Sequence, residues 1–159
     1  MVNKAVMDMY QHGKTPIIII DEAHLLTEKM LEEVRFLVNF NMDSLSPLCL
    51  ILVGQPELSE LLSGYSMRAI SQRITIRYSL KELDLQSVED YIRTHIKAAG
   101  SSSELFTSEA IKEIHCFSGG IPRKINLICD KSLLHCFMNK TKLVDDIVVK
   151  RIIKTELEN

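Results

Sequence analysis

Residues 16–20 run Pro16-Ile17-Ile18-Ile19-Ile20 without a polar position, then turn at once to Asp21-Glu22-Ala23-His24. A continuous β-branched run of this length predicts a strand buried on both faces, as inside a parallel sheet. A second run, Leu48-Cys49-Leu50-Ile51-Leu52-Val53, predicts another strand and ends in the polar turn Gly54-Gln55-Pro56-Glu57. Between them Met30, Leu31, Val34, Leu37 and Val38 recur at helical spacing behind Thr27. That spacing predicts a helix with its apolar stripe on the sheet, and threonine suits the N-cap. Asp43–Pro47 reads as a loop. Upstream, residues 3–11 predict the end of an amphipathic helix with Val6, Met9 and Tyr10 on one side, stopped by Gly13. Downstream, Glu57–Leu62 and Met67–Gln72 predict two short helices, and the alternation in Ile74-Thr75-Ile76-Arg77-Tyr78 predicts a third, shorter strand.

From Glu82 onward only helical periods remain. Ser87-Val88-Glu89-Asp90 fits a capping-box start. Val88, Tyr91, Ile92, His95, Ile96 and Ala99 then make one apolar face, which places His95 as a packed core histidine, and Gly100 closes the helix. Thr107 caps a helix through Phe117 that Gly119-Gly120 ends. Pro122 opens the next, to Asn139, with Ile125, Ile128, Cys129, Ser132, Leu133 and Cys136 on its inner face. Val144–Glu156 is the last. The expected architecture is α/β: a partial parallel sheet layer over residues 1–81, followed by an all-helical domain over residues 82–159.

Composition narrows the classes. The chain has 159 residues, 46% apolar and 25% charged, which suits one domain or a small domain with an appendage. A net charge of −2 gives no overall pull toward nucleic acid or anionic membrane. The longest apolar runs are too short to span a bilayer, and Met1–Tyr10 lacks the apolar core of a signal peptide, so a cytoplasmic chain is expected. Cys49, Cys116, Cys129 and Cys136 form no CxxC pair and read as buried reduced thiols. The five histidines show no paired-ligand spacing, which argues against a metal enzyme.

The candidate chemistry lies at the strand ends. Open α/β sheets bind ligands at the carboxyl edge of their strands. An acid there can hold the Mg²⁺ of a bound nucleotide, and a second acid can polarise the attacking water. Asp21 is read as the magnesium-side residue and Glu22 as the base; the alternative is a solvated acidic turn. Gln55 at the second strand end is either a side chain that senses a terminal phosphate or orients water, or a turn residue. Gly13-Lys14-Thr15 imitates a phosphate-binding loop, but such a loop follows a strand, carries a further upstream glycine and opens a helix. Here the triplet follows a helix and runs into a strand, so the chain has no phosphate cradle of its own. Arg68 and Arg73 precede the third predicted strand, as surface charges or as a finger acting on a neighbouring subunit.

Four motifs in order carry a family resemblance: Ile-Ile-Asp-Glu-Ala-His-Leu-Leu (19–26), Leu-Val-Gly-Gln-Pro-Glu-Leu (52–58), Gln-Arg-Ile-Thr-Ile-Arg-Tyr (72–78) and Phe-Ser-Gly-Gly-Ile-Pro-Arg-Lys-Ile-Asn-Leu-Ile-Cys-Asp (117–130). Over nearly its whole length the chain resembles the AAA+ ATPases of the general secretion pathway protein A type, with related transposition ATPases sharing the layout. The resemblance implies ATP and Mg²⁺ as cofactors. It implies Asp21 and Glu22 as the Walker B acids, Gln55 near sensor 1, Arg73 (or Arg68) as arginine finger, and Arg123 as the sensor 2 arginine of a helical lid. The family's P-loop and first two core strands would precede residue 1. The stretch alone is therefore expected to bind ATP poorly and hydrolyse it negligibly. The resemblance further implies self-association and protein partners in a secretion or transposition machine. The missing P-loop strand would leave open sheet edges, to be filled by Ile74–Tyr78 or by a second chain.

Two rivals stand beside it. A DNA-associated adaptor could use Arg68, Arg73, Arg77 and the cluster Lys150, Arg151 and Lys154 on phosphates. A pure assembly module would need no nucleotide. The Asp-Glu-Ala-His tetrad also occurs in DEAH helicases, but the helical second half does not provide their second RecA-like domain.

Overall fold

The structure is a computed structural model that describes residues 2–38 and 48–157. The chain forms two compact units, Met1–Tyr78 and Ser79–Asn159.

In the first unit, α1 (Val2–Gln11) stops at Gly13, whose amide donates to the Tyr10 carbonyl at 2.9 Å while Lys14 N donates to Met9 O at 3.0 Å. With Gly13 at φ 71°, this is the hydrogen-bond pattern of a helix terminator, so the Gly-Lys-Thr triplet is a helix-to-strand turn. Strands β1 (Ile17–Ile20) and β2 (Cys49–Leu52) pair in parallel, with Ile17 opposite Cys49 and Ile20 opposite Leu52. Helix α2 (Glu28–Val38) lies between them in sequence, and the Thr27 hydroxyl accepts from Met30 N at its start. The loop expected over Asp43–Pro47 and the inward faces of Leu37 and Val38 lie outside the described residues. Helix α3 (Glu57–Ser63), a 3₁₀ turn at Tyr65–Met67 and the single turn α4 (Arg68–Ser71) follow β2.

The sheet is covered on one face. Ile18 and Leu50 pack with Val6 and Met7 of α1, while Ile20 and Leu52 pack with Leu31, Leu58, Leu62, Met67 and Ile70. Ile17 and Ile19 alternate to the other side and are 61% and 63% exposed, beside exposed Cys49 and Ile51. The expectation of strands buried on both faces is thus corrected: side chains alternate along a strand, and the covering helices described here all contact the same set.

The third predicted strand does not form. Among the described residues the sheet has two strands, and Ile74–Tyr78 joins no ladder. Ile74 packs under the helices, but Ile76, Tyr78 and Leu80 are more than 80% exposed. An alternating segment becomes a strand only where a neighbour supplies hydrogen-bond partners, and the described residues pair no strand with it.

The second unit is a four-helix assembly of α5 (Leu85–Ala98), α6 (Ser108–Ser118), α7 (Pro122–Met138) and α8 (Asp146–Ile152), with a π turn at Ile153–Leu157. Its core holds Val88, Ile114, Ile125, Ile128, Val144 and Val149 at 0% exposure. Each such side chain contributes about 1.5–3 kcal/mol by its removal from water. Helix α5 starts one turn before the expected capping box: the Asp84 carboxylate accepts from Ser87 N at 2.8 Å. Aspartate is the better cap because its charge also meets the positive helix end. Thr107 caps α6 as expected, through Ala110 N at 3.1 Å. His95 is exposed rather than packed in the core, and its ring lies 4.4 Å from that of Tyr91. Cys49 and Cys116 are also exposed, contrary to the expectation for all four thiols; Cys136 is buried and Cys129 half-buried.

Candidate active site

Parallel pairing brings the ends of β1 and β2 side by side. Val53 N donates to Ile20 O at 2.9 Å, and Ala23 N donates back to Val53 O at 2.8 Å. These two bonds carry the register past the last strand residues, so Asp21–His24 and Gly54–Gln55 share one edge.

The chain leaves β1 through a sharp turn. Glu22 takes φ 52° and ψ 34°, a left-handed conformation that costs a side-chain-bearing residue about 1–2 kcal/mol. The Asp21 carboxylate supports the turn by accepting from Glu22 N at 2.8 Å. Both acids remain exposed. Strained backbone of this kind concentrates at functional sites, where the surroundings hold it in place.

His24 joins the two strand ends. Its side chain is only 11% exposed, and Nδ1 lies 3.3 Å from the Gln55 amide nitrogen and 3.4 Å from Glu22 Oε2. An Nδ1 that accepts from the Gln55 amide carries no proton, so the neutral ring holds its hydrogen on Nε2. Gly54 makes the approach possible: a Cβ there would sit 3.1 Å from His24 N and 3.2 Å from a Leu58 methyl. Sequence reasoning named His24 within the motif but gave it no role. Its only signal was a polar residue between Ala23 and Leu25, too short a pattern to show what the ring touches.

The other sequence candidates belong to other elements. Arg68 lies on α4 with its guanidinium 5.6 Å from the Tyr65 ring centroid. Arg73 follows α4 directly and is exposed, its amide bonded to Ile70 O. Arg77 donates to the hydroxyl and carbonyl of Ser71. Arg123 belongs to the second unit, exposed in the first turn of α7. That turn is fixed by Gly120, buried at φ 75°, where a Cβ would fall 2.1 Å from Leu83 O. The Gly120 carbonyl accepts from Leu83 N at 3.0 Å, tying the entry of α7 to the start of α5.

No group of three or more His, Cys, Asp or Glu side chains among the described residues could hold a metal ion by itself. One exposed carboxylate at a strand end does fit the mode of Mg²⁺, which takes one or two protein carboxylates and completes its shell with phosphates and water. Asp21 meets that requirement only as part of a nucleotide site. Lys150 of the candidate DNA cluster is already paired with Asp146 at 2.9 Å and Glu113 at 3.2 Å. No helix among the described residues is long and apolar enough to cross a membrane.

Comparison with known proteins gives the following likenesses. Residues 1–62 match the AAA domain family. General secretion pathway protein A of Aeromonas hydrophila is 42% identical over 125 residues, which cover 79% of this chain and 23% of that protein. The chain thus matches less than a quarter of the length of that relative. Among solved structures, the RuvB Holliday junction branch migration motor of Thermotoga maritima superposes with a TM-score of 0.69 at 17% identity, over 96% of this chain and 48% of that one. A variant of the same motor gives 0.67 at 16% identity, over 94% and 48%. At such identity the likeness is one of fold: a P-loop NTPase sheet edge with helices. By sequence motifs and by fold together, the chain resembles the AAA domain family over residues 1–62 and is similar to general secretion pathway protein A.

Proposed function

We propose that this chain supplies the Walker B, sensor and lid parts of an ATP-hydrolysing AAA+ protein that couples nucleotide state to assembly in a secretion-type pathway. Residues 1–81 contribute the carboxyl-terminal part of the α/β core, and residues 82–159 the lid. The observation that carries the reading is the shared edge of β1 and β2, where His24 meets the Glu22 carboxylate and the Gln55 amide and Asp21 ends the first strand.

The roles follow from the chemistry of each group. Asp21 is assigned to the Mg²⁺ of the nucleotide; when bound, the ion neutralises charge on the phosphate oxygens. Glu22 takes a proton from the attacking water, and its left-handed backbone holds the carboxylate beyond the strand end. Gln55 orients that water or meets the terminal phosphate. Arg123 is assigned to the γ-phosphate, for which its planar fork is better suited than lysine. Arg73 acts as the finger on a neighbouring subunit, which makes self-association part of the reading.

Phosphate binding then falls to a glycine-rich loop that this sequence does not contain. The bare Ile17, Ile19 and Ile51 face supports this, because parallel sheets are ordinarily covered on both faces. Mg·ATP calorimetry tests the proposal, on this chain and on the chain preceded by a P-loop unit of about 100 residues. Binding only by the longer form, with hydrolysis lost in Glu22→Gln, is the expected result. Turnover by this chain alone, or no binding by either form, overturns it.

A further inference from the structure

Helix α7 carries two apolar faces. One, with Ile125, Ile128, Ser132 and Cys136, is buried in the core of the second unit. The other contains Leu134, Phe137 and Met138, at positions i, i+3 and i+4, which are 58%, 81% and 74% exposed. A helix of a soluble protein needs only one such stripe; a second one left in water marks a surface that something covers.

Beside this face runs a groove of about 460 Å³, with Leu105, Leu133, Cys136, Phe137 and Leu143 as its apolar lining. Its far wall is the turn after α7. There the Thr141 amide donates to Cys136 O at 2.9 Å and Lys140 N to Phe137 O at 3.2 Å, a closed helix terminator. The position that glycine normally takes in this motif is occupied by Lys140 at φ 55°. The chain therefore keeps a cation at a site where its backbone is strained. Lys142 lies on the groove itself. Both lysines are exposed. The carboxylate that lines the groove, Glu104, is engaged with Arg93 at 3.3 Å.

We propose that this groove docks a partner polypeptide segment, an amphipathic helix whose apolar ridge seats against Phe137 and Leu143 and whose flanking carboxylates meet Lys140 and Lys142. Helix-in-groove recognition uses this division: apolar anchors for affinity, flanking charge for choice of partner. A second copy of this chain is the poorer occupant, because a symmetric pairing would bring the lysines of both copies onto one interface. The proposal requires no nucleotide and stands apart from the site at the strand ends.

Two labelled peptides of about four helical turns test it by fluorescence anisotropy, each with leucines at i, i+3, i+4 and i+7. One carries glutamates at its flanks, the other lysines. The acidic peptide is expected to bind about ten-fold tighter or more. Phe137→Ser should weaken it by a similar factor, and the double variant Lys140→Glu, Lys142→Glu should invert the preference, with circular dichroism checking that each variant is folded. Because the three side chains are exposed, the charge reversal remains informative should Phe137→Ser misfold. Equal binding of the two peptides, binding by neither, or a dimer in sedimentation that Phe137→Ser dissolves would each overturn the proposal.

Discussion

His24 Nδ1 accepts the Gln55 backbone amide at 3.3 Å, linking the turn after the first strand to the turn after the second. Glu22 Oε2 lies 3.4 Å from the same nitrogen. One lone pair cannot accept from Gln55 while its nitrogen donates to Glu22, so the ring must choose. Neutral His24 holds the Gln55 turn; a protonated ring would give up that bond and face the carboxylate. The neutral ring is therefore expected to be the Nε2–H tautomer, which the ¹⁵N shifts of a labelled sample report directly. A neutral ring with its proton on Nδ1 would refute the arrangement.

The two close glycines should differ in what they tolerate. Gly54→Ala places a Cβ 3.1 Å from His24 N, a contact that a small shift relieves. A loss of about 1–2 kcal/mol is expected, with amide shifts at His24 and Gln55. Gly120→Ala drives a Cβ into the Leu83 backbone at a left-handed position, and about 3 kcal/mol or more should be lost. Denaturant titration of both variants checks the order.

Burial pushes the Cys129 thiol up to about 12, with Asp130 adding to the effect. Iodoacetamide near neutral pH should therefore modify exposed Cys49 and Cys116 while sparing Cys129 and buried Cys136. The sign on stability follows. The folded state favours the neutral thiol, so this contribution is complete below the ordinary value of 9.0 and is lost as pH rises through about 12. Cys129→Ala should flatten the alkaline limb of the stability curve.

The Asp84 carboxyl is held below its ordinary value of 3.8, first by the Ser87 amide it caps. A lowered folded value means that the stabilisation is present above that pH and disappears as pH falls through the folded value. Asp84→Ala should lower the melting temperature at about pH 7 and lower it less as the carboxylate is protonated in acid. Equal losses at neutral and acid pH would show that the cap acts by shape rather than by charge.

Ser132 is fully buried, and its hydroxyl finds no hydrogen-bond partner among the described residues. An orphaned hydroxyl in an apolar core costs free energy that a methyl group does not. Ser132→Ala is expected to stabilise the chain by about 1 kcal/mol. A clear destabilisation in thermal unfolding would reveal an overlooked partner.

The parts of the fold that depend on neighbours in sequence were legible in advance. Gly13 ends a helix, Thr107 caps one and Pro122 opens one, because each acts on backbone groups within a turn of itself. The acids Asp21 and Glu22 could be placed at a strand end for the same reason: four isoleucines must be extended, and the polar residues after them must leave the sheet. Nucleotide hydrolysis as a candidate chemistry came from those two acids at a strand end, and the order of four short motifs added the family resemblance.

What the sequence could not decide depends on neighbours in space. Whether Ile17 and Ile19 are covered is a matter of which helices pack on which face, and the Ile run is the same in either case. Ile74–Tyr78 has the alternation of a strand, but a ladder needs a partner strand, and pairing is a tertiary fact. The start of α5 moved to Asp84 because an aspartate and a serine cap compete over a few residues and the better-charged one wins. The link from Glu22 to Gln55 through His24 spans 31 residues between His24 and Gln55, and only the parallel register of two strands brings those ends together.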